Sequence, residues 1–213
     1  MQHTTVDNIN HDNIDWPKVK KFLADYGITH ASDFAKLTSI CYDPHDPSYL
    51  RHVKTFEFNH DIHLVWDAYK NISPAHVWSG SMIRFGLQYA RYNNSITYPN
   101  TQTHDGLQAG QVLILNLCIL NGMINICVGH EVMEVNETEK LIRICYLENA
   151  ASQGSQFIRL SKTGTNGTLV THETFYKSNS WFRDRILYPG LHTKALKEFH
   201  GNVGRYLEEG RAD

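Results

Sequence analysis

Titratable side chains that could carry acid–base chemistry recur along the second half of the chain. His130, Tyr146 and Glu148 fall in two predicted strands, and His172 and Tyr176 fall in a third. A histidine beside a tyrosine hydroxyl can support general acid–base catalysis near neutral pH. Because successive strand residues point to opposite faces, His172 and Tyr176 share one face, but the sequence leaves open whether that face is the inner one. Glu148 ends its strand and is expected in solvent.

Other motifs give little support for a metal or a cofactor. His60 and His63 flank Asp61 at a spacing that suits two ligands on one helix, yet they straddle a predicted strand-to-helix junction and have no evident third ligand. The sequence contains no H-E-x-x-H, G-x-G-x-x-G, P-loop or G-x-S-x-G motif. We therefore expect no metal and no cofactor, and we assign no catalytic residue.

Charge and cysteine content restrict the class of protein. A net charge of -2 over 213 residues, without a basic stripe, argues against a nucleic-acid binder. The cysteines form no C-x-x-C pair, and three of them lie in apolar strand patterns, where a free thiol behaves as a small hydrophobe. Residues 1–10 are polar and lack the apolar core of a signal peptide. Free thiols and a reducing cytoplasm are therefore expected. The cysteines are Cys41, Cys118, Cys127 and Cys145.

The apolar stretch 112–128 predicts a β-hairpin rather than a membrane-spanning helix. Asn121-Gly122 at its centre is a strong signal for a tight hairpin turn. A two-residue turn pairs Leu117 with Ile126, and the neighbouring apolar pairs then share the same face. Continuing the ladder places His130 opposite Leu113 on that face, unless Gly129 forms a bulge. Asn116 and Asn125 fall on the opposite face, where solvent is expected.

Helices are predicted in the first fifty residues, which form an extension to the main domain. Asp15 could cap a helix that begins at Trp16-Pro17 and ends at Gly27. A second short helix is expected over residues 32–37. The domain itself is expected over residues 51–213.

The main domain opens with a predicted strand at 53–58 and two predicted helices. Ile62, Val65, Trp66 and Tyr69 define the apolar face of the first helix, and Val77, Trp78, Met82, Phe85 and Tyr89 define that of the second, after Ser73-Pro74. The segment 93–110 reads as a long loop, which is often functional or mobile. Strands follow near 111–120, 123–135, 141–148, 156–162 and 168–177. Short turns between them predict an antiparallel sheet.

The chain closes with a predicted amphipathic helix. Ser180 could cap its first turn, and Pro189 falls near its start. Apolar residues then recur every four positions, so that one face is available for burial. They are Leu191, Ala195, Phe199, Val203 and Leu207. The pattern predicts an α+β fold in which a curved antiparallel sheet of about six or seven strands wraps around this helix.

The order of these elements resembles the helix-grip superfamily, also called START-like or SRPBCC, over about residues 53–208. Residues 131–137 resemble the V-E-V-D-E hairpin of polyketide cyclases and birch-pollen-allergen-like proteins. Residues 174–181, with a Phe, a basic residue and Ser before Trp181, resemble an uncharacterised branch of the superfamily. Where that branch carries an acidic Gly-Glu-Glu step, this chain has Gly154-Ser155-Gln156. The resemblance implies an apolar cavity between sheet and helix that binds lipids, sterols, polyketides or hormones.

These observations lead to three functional hypotheses. The first is binding or carriage of a small hydrophobic molecule, without a membrane span and with a homodimer left open. The second is a cyclase- or hydratase-type enzyme that uses His130, or His172 with Tyr176, in the same cavity. The third is an interaction module whose cavity is filled by its own side chains. Trp181 is expected to pack the helix onto the sheet or to line the cavity mouth. The expected ligand-binding residues are His130, Tyr146, His172, Tyr176, Trp181, Leu117 and Ile126.

Overall fold

The computed structural model describes residues 8–148, 150–164 and 166–210. The strands in this part of the chain are β1 (Ser39–Ile40), β2 (Leu50–Phe58), β3 (Ile83–Ala90), β4 (Ser95–Thr97), β5 (Gln111–Ile119), β6 (Ile124–Asn136), β7 (Leu141–Leu147), β8 (Gln153–Thr163) and β9 (Gly167–Lys177). These nine strands form one antiparallel sheet in the order β2-β9-β8-β7-β6-β5-β3-β4, with β1 paired beside β7. The expected count of six or seven is too low, because it omits β1, β3 and β4.

The helices comprise α1 (Pro17–Asp25), α2 (Ile62–Asn71), α3 (Pro74–Val77) and α4 (Tyr188–Glu209), with a π-helical segment at Arg183–Leu187 that leads into α4. Two short 3₁₀ helices, His11–Asn13 and Ala31–Lys36, lie in the extension, and the second fulfils the prediction for 32–37. None of these helices is long and apolar enough to cross a membrane.

One face of the sheet, here called the inner face, packs against α2 and α4. The predicted apolar faces of both helices are buried there, as are the inward residues of β5, β6 and β7. The buried side chains of this inner cluster include Val65, Trp66 and Tyr69 of α2, Leu113, Leu115, Val132, Ile142 and Ile144 of the sheet, and Ala195, Phe199 and Val203 of α4.

The opposite face, here called the outer face, is covered by the extension over β3, β5 and β7. The side chains that α1 and the following 3₁₀ helix bury there form the outer cluster with residues of β3, β5 and β7. Its members include Ile14, Val19, Leu23, Phe34, Leu37, Leu87, Val112, Ile114 and Leu147. Strand β5 is therefore buried on both faces, which explains why the stretch 112–119 is almost continuously apolar.

The start of α1 differs from its prediction in one contact. The helix begins at Pro17 with Trp16 at the N-cap, and no side chain caps it, so the predicted cap by Asp15 is wrong. The Trp16 indole Nε1 instead donates to the carbonyl oxygen of Phe85 at 3.0 Å, which ties the extension to β3. The helix ends before Gly27, which adopts a φ of +61°, as predicted.

The predicted second helix after Pro74 is wrong beyond Val77, because residues Ile83–Ala90 form β3. A bulge between Phe85 and Leu87 shifts the register against β5. The bulge exchanges the two faces, so Phe85 packs in the inner cluster and Leu87 in the outer one. The apolar spacing consequently does not follow a simple alternation and imitates a helical period.

Gly86, in this bulge, permits the close approach of the extension. A Cβ atom added there would lie 2.6 Å from the carbonyl oxygen of Ile114 and 2.8 Å from Cγ2 of Val19. Only a residue without a side chain fits between β5 and α1 at this point.

The predicted hairpin register is confirmed. Leu117 pairs with Ile126, and Leu113 pairs with His130 without a bulge at Gly129. The expectation that Asn116 is solvated is wrong, since it is 1% exposed and its Nδ2 donates to Oδ1 of Asn125 at 2.8 Å. Burial of the outer face on this strand explains why a polar residue there needs an internal partner.

The cysteines also depart from their prediction. Cys41 and Cys145 form a disulfide across a separation of 104 residues, which links the extension to β7. Cys118 and Cys127 are free, as expected. The prediction of a reducing cytoplasm is based on free thiols. The disulfide takes away that support, because disulfides persist mainly in oxidising compartments. Pairing could not be inferred from spacing, since β1 and β7 meet only in the folded sheet.

Candidate functional site

A cavity of about 210 Å³ lies between the inner face and α4. Its apolar wall consists of inward side chains of the β5–β6 hairpin, and the opposite wall consists of α4. The hairpin register places Leu117, Ile119, Ile126 and Val128 in one wall, and Leu191, Ala195 and Leu196 form the other. The two apolar rows thus face each other without filling the space between them.

Polar side chains concentrate at one end of the cavity. His130 comes from β6, Tyr146 from β7 and Gln156 from β8, while Tyr188 and His192 come from the first turns of α4. Ser152 and Arg183 lie in the lining as well, and Nη2 of Arg183 donates to the Ser152 hydroxyl. Along β6, Ile126, Val128 and His130 follow at alternate positions, so this single strand leads from the apolar to the polar end.

A chain of hydrogen bonds runs from His130 into the protein interior. Nε2 of Gln156 lies 3.1 Å from Nε2 of His130, and Oε1 of Gln156 lies 2.9 Å from Nε2 of His172. Nδ1 of His172 lies 2.9 Å from Nε2 of His200. Nδ1 of His200 is bonded to the hydroxyl of Tyr69. This chain of hydrogen bonds connects side chains of β6, β8, β9, α4 and α2 in that order.

Burial keeps the imidazoles of this chain neutral. It lowers the pKa of His130 to about 4. Burial, followed by the neighbouring His192, lowers the pKa of His200 to about 3. The pKa of His172 falls well below its usual value, first through burial and then through the charges of the surrounding histidines. None of the three is therefore protonated to a significant extent at neutral pH.

Two tyrosines share a hydrogen bond beside His130. The hydroxyls of Tyr146 and Tyr188 are bonded to each other, and the ring of Tyr146 lies 4.8 Å from that of His130. Burial raises the pKa of both tyrosines. Both hydroxyls are consequently neutral and offer hydrogen bonds, while the charge at this end of the cavity comes from the Arg183 guanidinium.

Comparison with known proteins gives relatives in structure only. No model of a known protein family matches the sequence, and no curated relative matches it. Norcoclaurine synthase from Thalictrum flavum, solved in complex with dopamine and hydroxybenzaldehyde, has a TM-score of 0.53 at 14% identity, covering 81% of this chain and 97% of that one. Major latex-like protein 151 from Panax ginseng has a TM-score of 0.52 at 13% identity, with 75% and 97% covered. A START superfamily protein from Mycobacterium smegmatis has a TM-score of 0.51 at 14% identity, with 75% and 97% covered.

The chain has the START-like helix-grip fold. Identities of 13–14% support the fold alone and do not establish an activity.

The predicted ligand residues separate into three groups within this helix-grip fold. His130, Tyr146, Leu117 and Ile126 line the cavity. His172 and Tyr176 are buried on the inward face of β9, which decides the question that the sequence leaves open. They stand behind the lining: His172 bonds to Gln156, and Tyr176 stacks on Tyr188 with 3.8 Å between ring centroids. The Tyr176 hydroxyl donates to the carbonyl oxygen of Asp184 at 2.8 Å, so it is not free for acid–base work.

Trp181 is placed differently from both of its expected positions. Its side chain is 68% exposed, and it neither packs on the sheet nor lines the cavity. Phe182, Ile186 and Leu187 nearby are exposed as well, as are Leu120 and Met123 at the tip of the β5–β6 hairpin. Leu187 of the first group lines the cavity, as does Ile119 beside the second group, so exposed apolar side chains border the cavity on two sides.

Sequence reasoning missed Gln156, Tyr188, His192 and His200. A signal exists for the last three, because residues 188, 192, 196 and 200 form a row spaced by four that lies beside the apolar row of α4. No comparable signal marks Gln156, whose partners lie on other strands. Gln156 also lies in the segment Gly154-Ser155-Gln156, where this sequence lacks the acidic Gly-Glu-Glu step of the uncharacterised branch that it resembles.

The histidine pair considered for a metal is separated. Nε2 of His60 lies 2.8 Å from Oε1 of Glu208, whereas His63 is exposed on α2. Within the described ranges, no group of three or more His, Cys, Asp or Glu side chains could hold a metal ion.

Proposed function

We propose that the protein binds, and thereby carries, a small hydrophobic molecule in the cavity between the inner face and α4. The observation that carries this proposal is the unfilled space of about 210 Å³ between two apolar rows. Transfer of apolar surface from water into such a space contributes roughly 25 cal/mol per Å², so a ligand that buries about 200 Å² gains about 5 kcal/mol. The polar groups at one end then fix its orientation.

Catalysis in the same cavity is the second candidate, and the neighbouring rings of His130 and Tyr146 favour it. The protonation equilibria oppose it. An acid–base catalyst works best with a pKa near the operating pH. Burial moves the pKa of His130 down to about 4 and that of Tyr146 upwards, so neither group exchanges protons readily at pH 7. The third candidate, a cavity filled by side chains, is opposed by its open volume.

Native mass spectrometry of freshly purified protein tests the proposed function. We expect a mass increment under native conditions that is absent after denaturation, from a small molecule that co-purifies. Val128→Phe places a ring in the cavity from β6 and should remove the increment. Val53→Phe is the matched control, because Val53 pairs with Glu173 on β9, away from the cavity lining.

The result that contradicts the proposal is equally specific. A wild-type protein that carries no small molecule and takes up none from a mixture of apolar test compounds has no binding function in this cavity. An increment that persists in Val128→Phe places the bound molecule elsewhere. Thermal unfolding of both variants checks that the added ring has not prevented folding.

A further inference from the structure

Gln156 fixes the position of the ring proton on both of its histidine partners. A carbonyl oxygen can only accept and an amide nitrogen can only donate. Nε2 of His172, at 2.9 Å from Oε1 of Gln156, therefore carries a proton. Nε2 of His130, at 3.1 Å from Nε2 of Gln156, therefore presents a lone pair.

The remaining bonds of the chain have the same polarity. A neutral His172 with its proton on Nε2 accepts through Nδ1, so Nε2 of His200 must donate to it at 2.9 Å. His200 then accepts at Nδ1 from the hydroxyl of Tyr69. Each of the four bonds contains one hydrogen, and all run in one direction from Tyr69 to His130. A consistent chain of this kind leaves no donor facing another donor.

His130 must consequently carry its proton on Nδ1. This atom has no hydrogen-bond partner within residues 8–148, 150–164 and 166–210, and the ring lines the cavity. A buried donor without an acceptor is unfavourable until an acceptor meets it. The cavity therefore requires a hydrogen-bond acceptor from the ligand beside Nδ1 of His130.

A second chain fixes His192 in the same way. The Thr193 hydroxyl donates to the carbonyl oxygen of Pro189 at 2.7 Å and so accepts from Nε2 of His52 at 3.1 Å. Nδ1 of His52 then accepts from Nδ1 of His192 at 3.1 Å. Nε2 of His192 is left as an acceptor, at which a ligand hydroxyl could donate.

We infer that the cavity selects a largely apolar molecule with a carbonyl-type hydrogen-bond acceptor, and that this acceptor meets the Nδ1–H of His130. This ligand class extends the proposed binding function and depends on it. Arg183 and the unused hydroxyl hydrogen of the Tyr146–Tyr188 pair add donors at the same end. Among the described residues, no carboxylate lines the cavity, so a ligand cation finds no counter-charge there.

Acetophenone and α-methylstyrene test the inference, because they differ in shape only by the exchange of C=O for C=CH₂. Water solvates the ketone better, so their absolute affinities are not directly comparable. The informative quantity is the ratio of the two dissociation constants, measured by calorimetry for the wild type and for His130→Leu. In His130→Leu we expect this ratio to shift about two- to tenfold against the ketone. This range corresponds to the loss of one neutral hydrogen bond. Ile126→Val is the control, and it should weaken both probes by the same factor.

Nitrogen-15 NMR of the histidine rings gives an independent test that requires no ligand. We expect a proton on Nδ1 of His130 and on Nε2 of both His172 and His200. A proton on Nε2 of His130 would reverse the whole chain and overturn the inference. An unchanged ratio of dissociation constants in His130→Leu overturns it as well, while leaving the binding function intact. Failure of the wild type to bind either probe counts instead against the binding function.

Discussion

Around β3 and β5 the sheet is apolar on both faces, but only the outer side is fully packed there. On the outer face, Val19, Leu23 and Phe34 of the extension have no measurable exposure and close over β3 and β5. On the inner face, a cavity of about 210 Å³ lies against α4, and buried histidines are linked by hydrogen bonds through the core. Dense packing stabilises a fold, whereas open space and buried polar groups cost stability. The contrast suggests a division in which the extension stabilises the fold from the outer side and the inner side holds the proposed binding site.

The largest expected effect is a difference between truncations on the two faces. Phe34→Ala should lower the free energy of unfolding by about 3–5 kcal/mol, because it leaves a hole in a closed cluster. Leu117→Ala, which enlarges an existing cavity, should cost less than about 2 kcal/mol, since Leu117 is only partly buried. Urea unfolding monitored by circular dichroism measures both values. Equal losses would remove the distinction between the faces.

The disulfide should matter for the outer face and not for the cavity. Replacing both Cys41 and Cys145 by serine should lower the free energy of unfolding by about 2–4 kcal/mol, because the cross-link closes a loop of about a hundred residues. Ligand affinity should remain unchanged, as neither cysteine lines the cavity. Denaturant titration and a binding measurement on the same variant separate the two effects. A parallel loss of affinity would mean that the extension shapes the site.

Acid should destabilise the inner face first. Burial lowers the pKa of His130, His172, His192 and His200, whereas histidines of the unfolded chain titrate near 6.5. The unfolded state therefore binds more protons below that pH, and stability falls as the pH falls from about 6.5 to 5. Each such histidine contributes up to about 1.4 kcal/mol per pH unit. Carboxylates add to this loss mainly at lower pH, where they begin to protonate.

Unfolding free energies at pH 7, 6 and 5 measure this slope. His192→Gln should flatten it, and His45→Gln, at an exposed position, should leave it unchanged. A slope that is the same in all three proteins would show that His192 is not the buried, neutral group that its lowered pKa implies.

The smallest effect is expected at the exposed aromatic residues. Trp181→Ser should change the free energy of unfolding by less than about 0.5 kcal/mol, because the side chain is 68% exposed. Thermal unfolding measures this change. A loss as large as that expected for Phe34→Ala would mean that Trp181 is buried in solution.

Local patterns were sufficient to predict the inward sides of the β5–β6 hairpin and of α4. The Asn121-Gly122 turn and the alternation around it fix the register of β5 and β6, and with it the cavity position of Leu117, Ile126 and His130. The spacing of four along α4 likewise predicts its buried side. These signals lie within a few residues of the structure that they determine.

Features that depend on distant parts of the chain could not be predicted in this way. The bulge at Gly86 exchanges the faces of β3, so its apolar residues resemble a helix. The extension closes the outer face over β3, β5 and β7, which explains both the buried Asn116 and the Cys41–Cys145 disulfide. Gln156 contacts His130 on β6 and His172 on β9, and the residues next to it in the sequence do not indicate these contacts.

Xenon binding tests most directly whether the inner face alone contains accessible space. Dry apolar cavities take up xenon, and its position can be located in crystals under pressure. We predict a xenon atom between the β5–β6 hairpin and α4, near Leu117, Ile126 and Ala195, and its loss in Val128→Phe. No xenon at that position, or a site of equal occupancy in the outer cluster, would contradict the division between a packed face and a binding face.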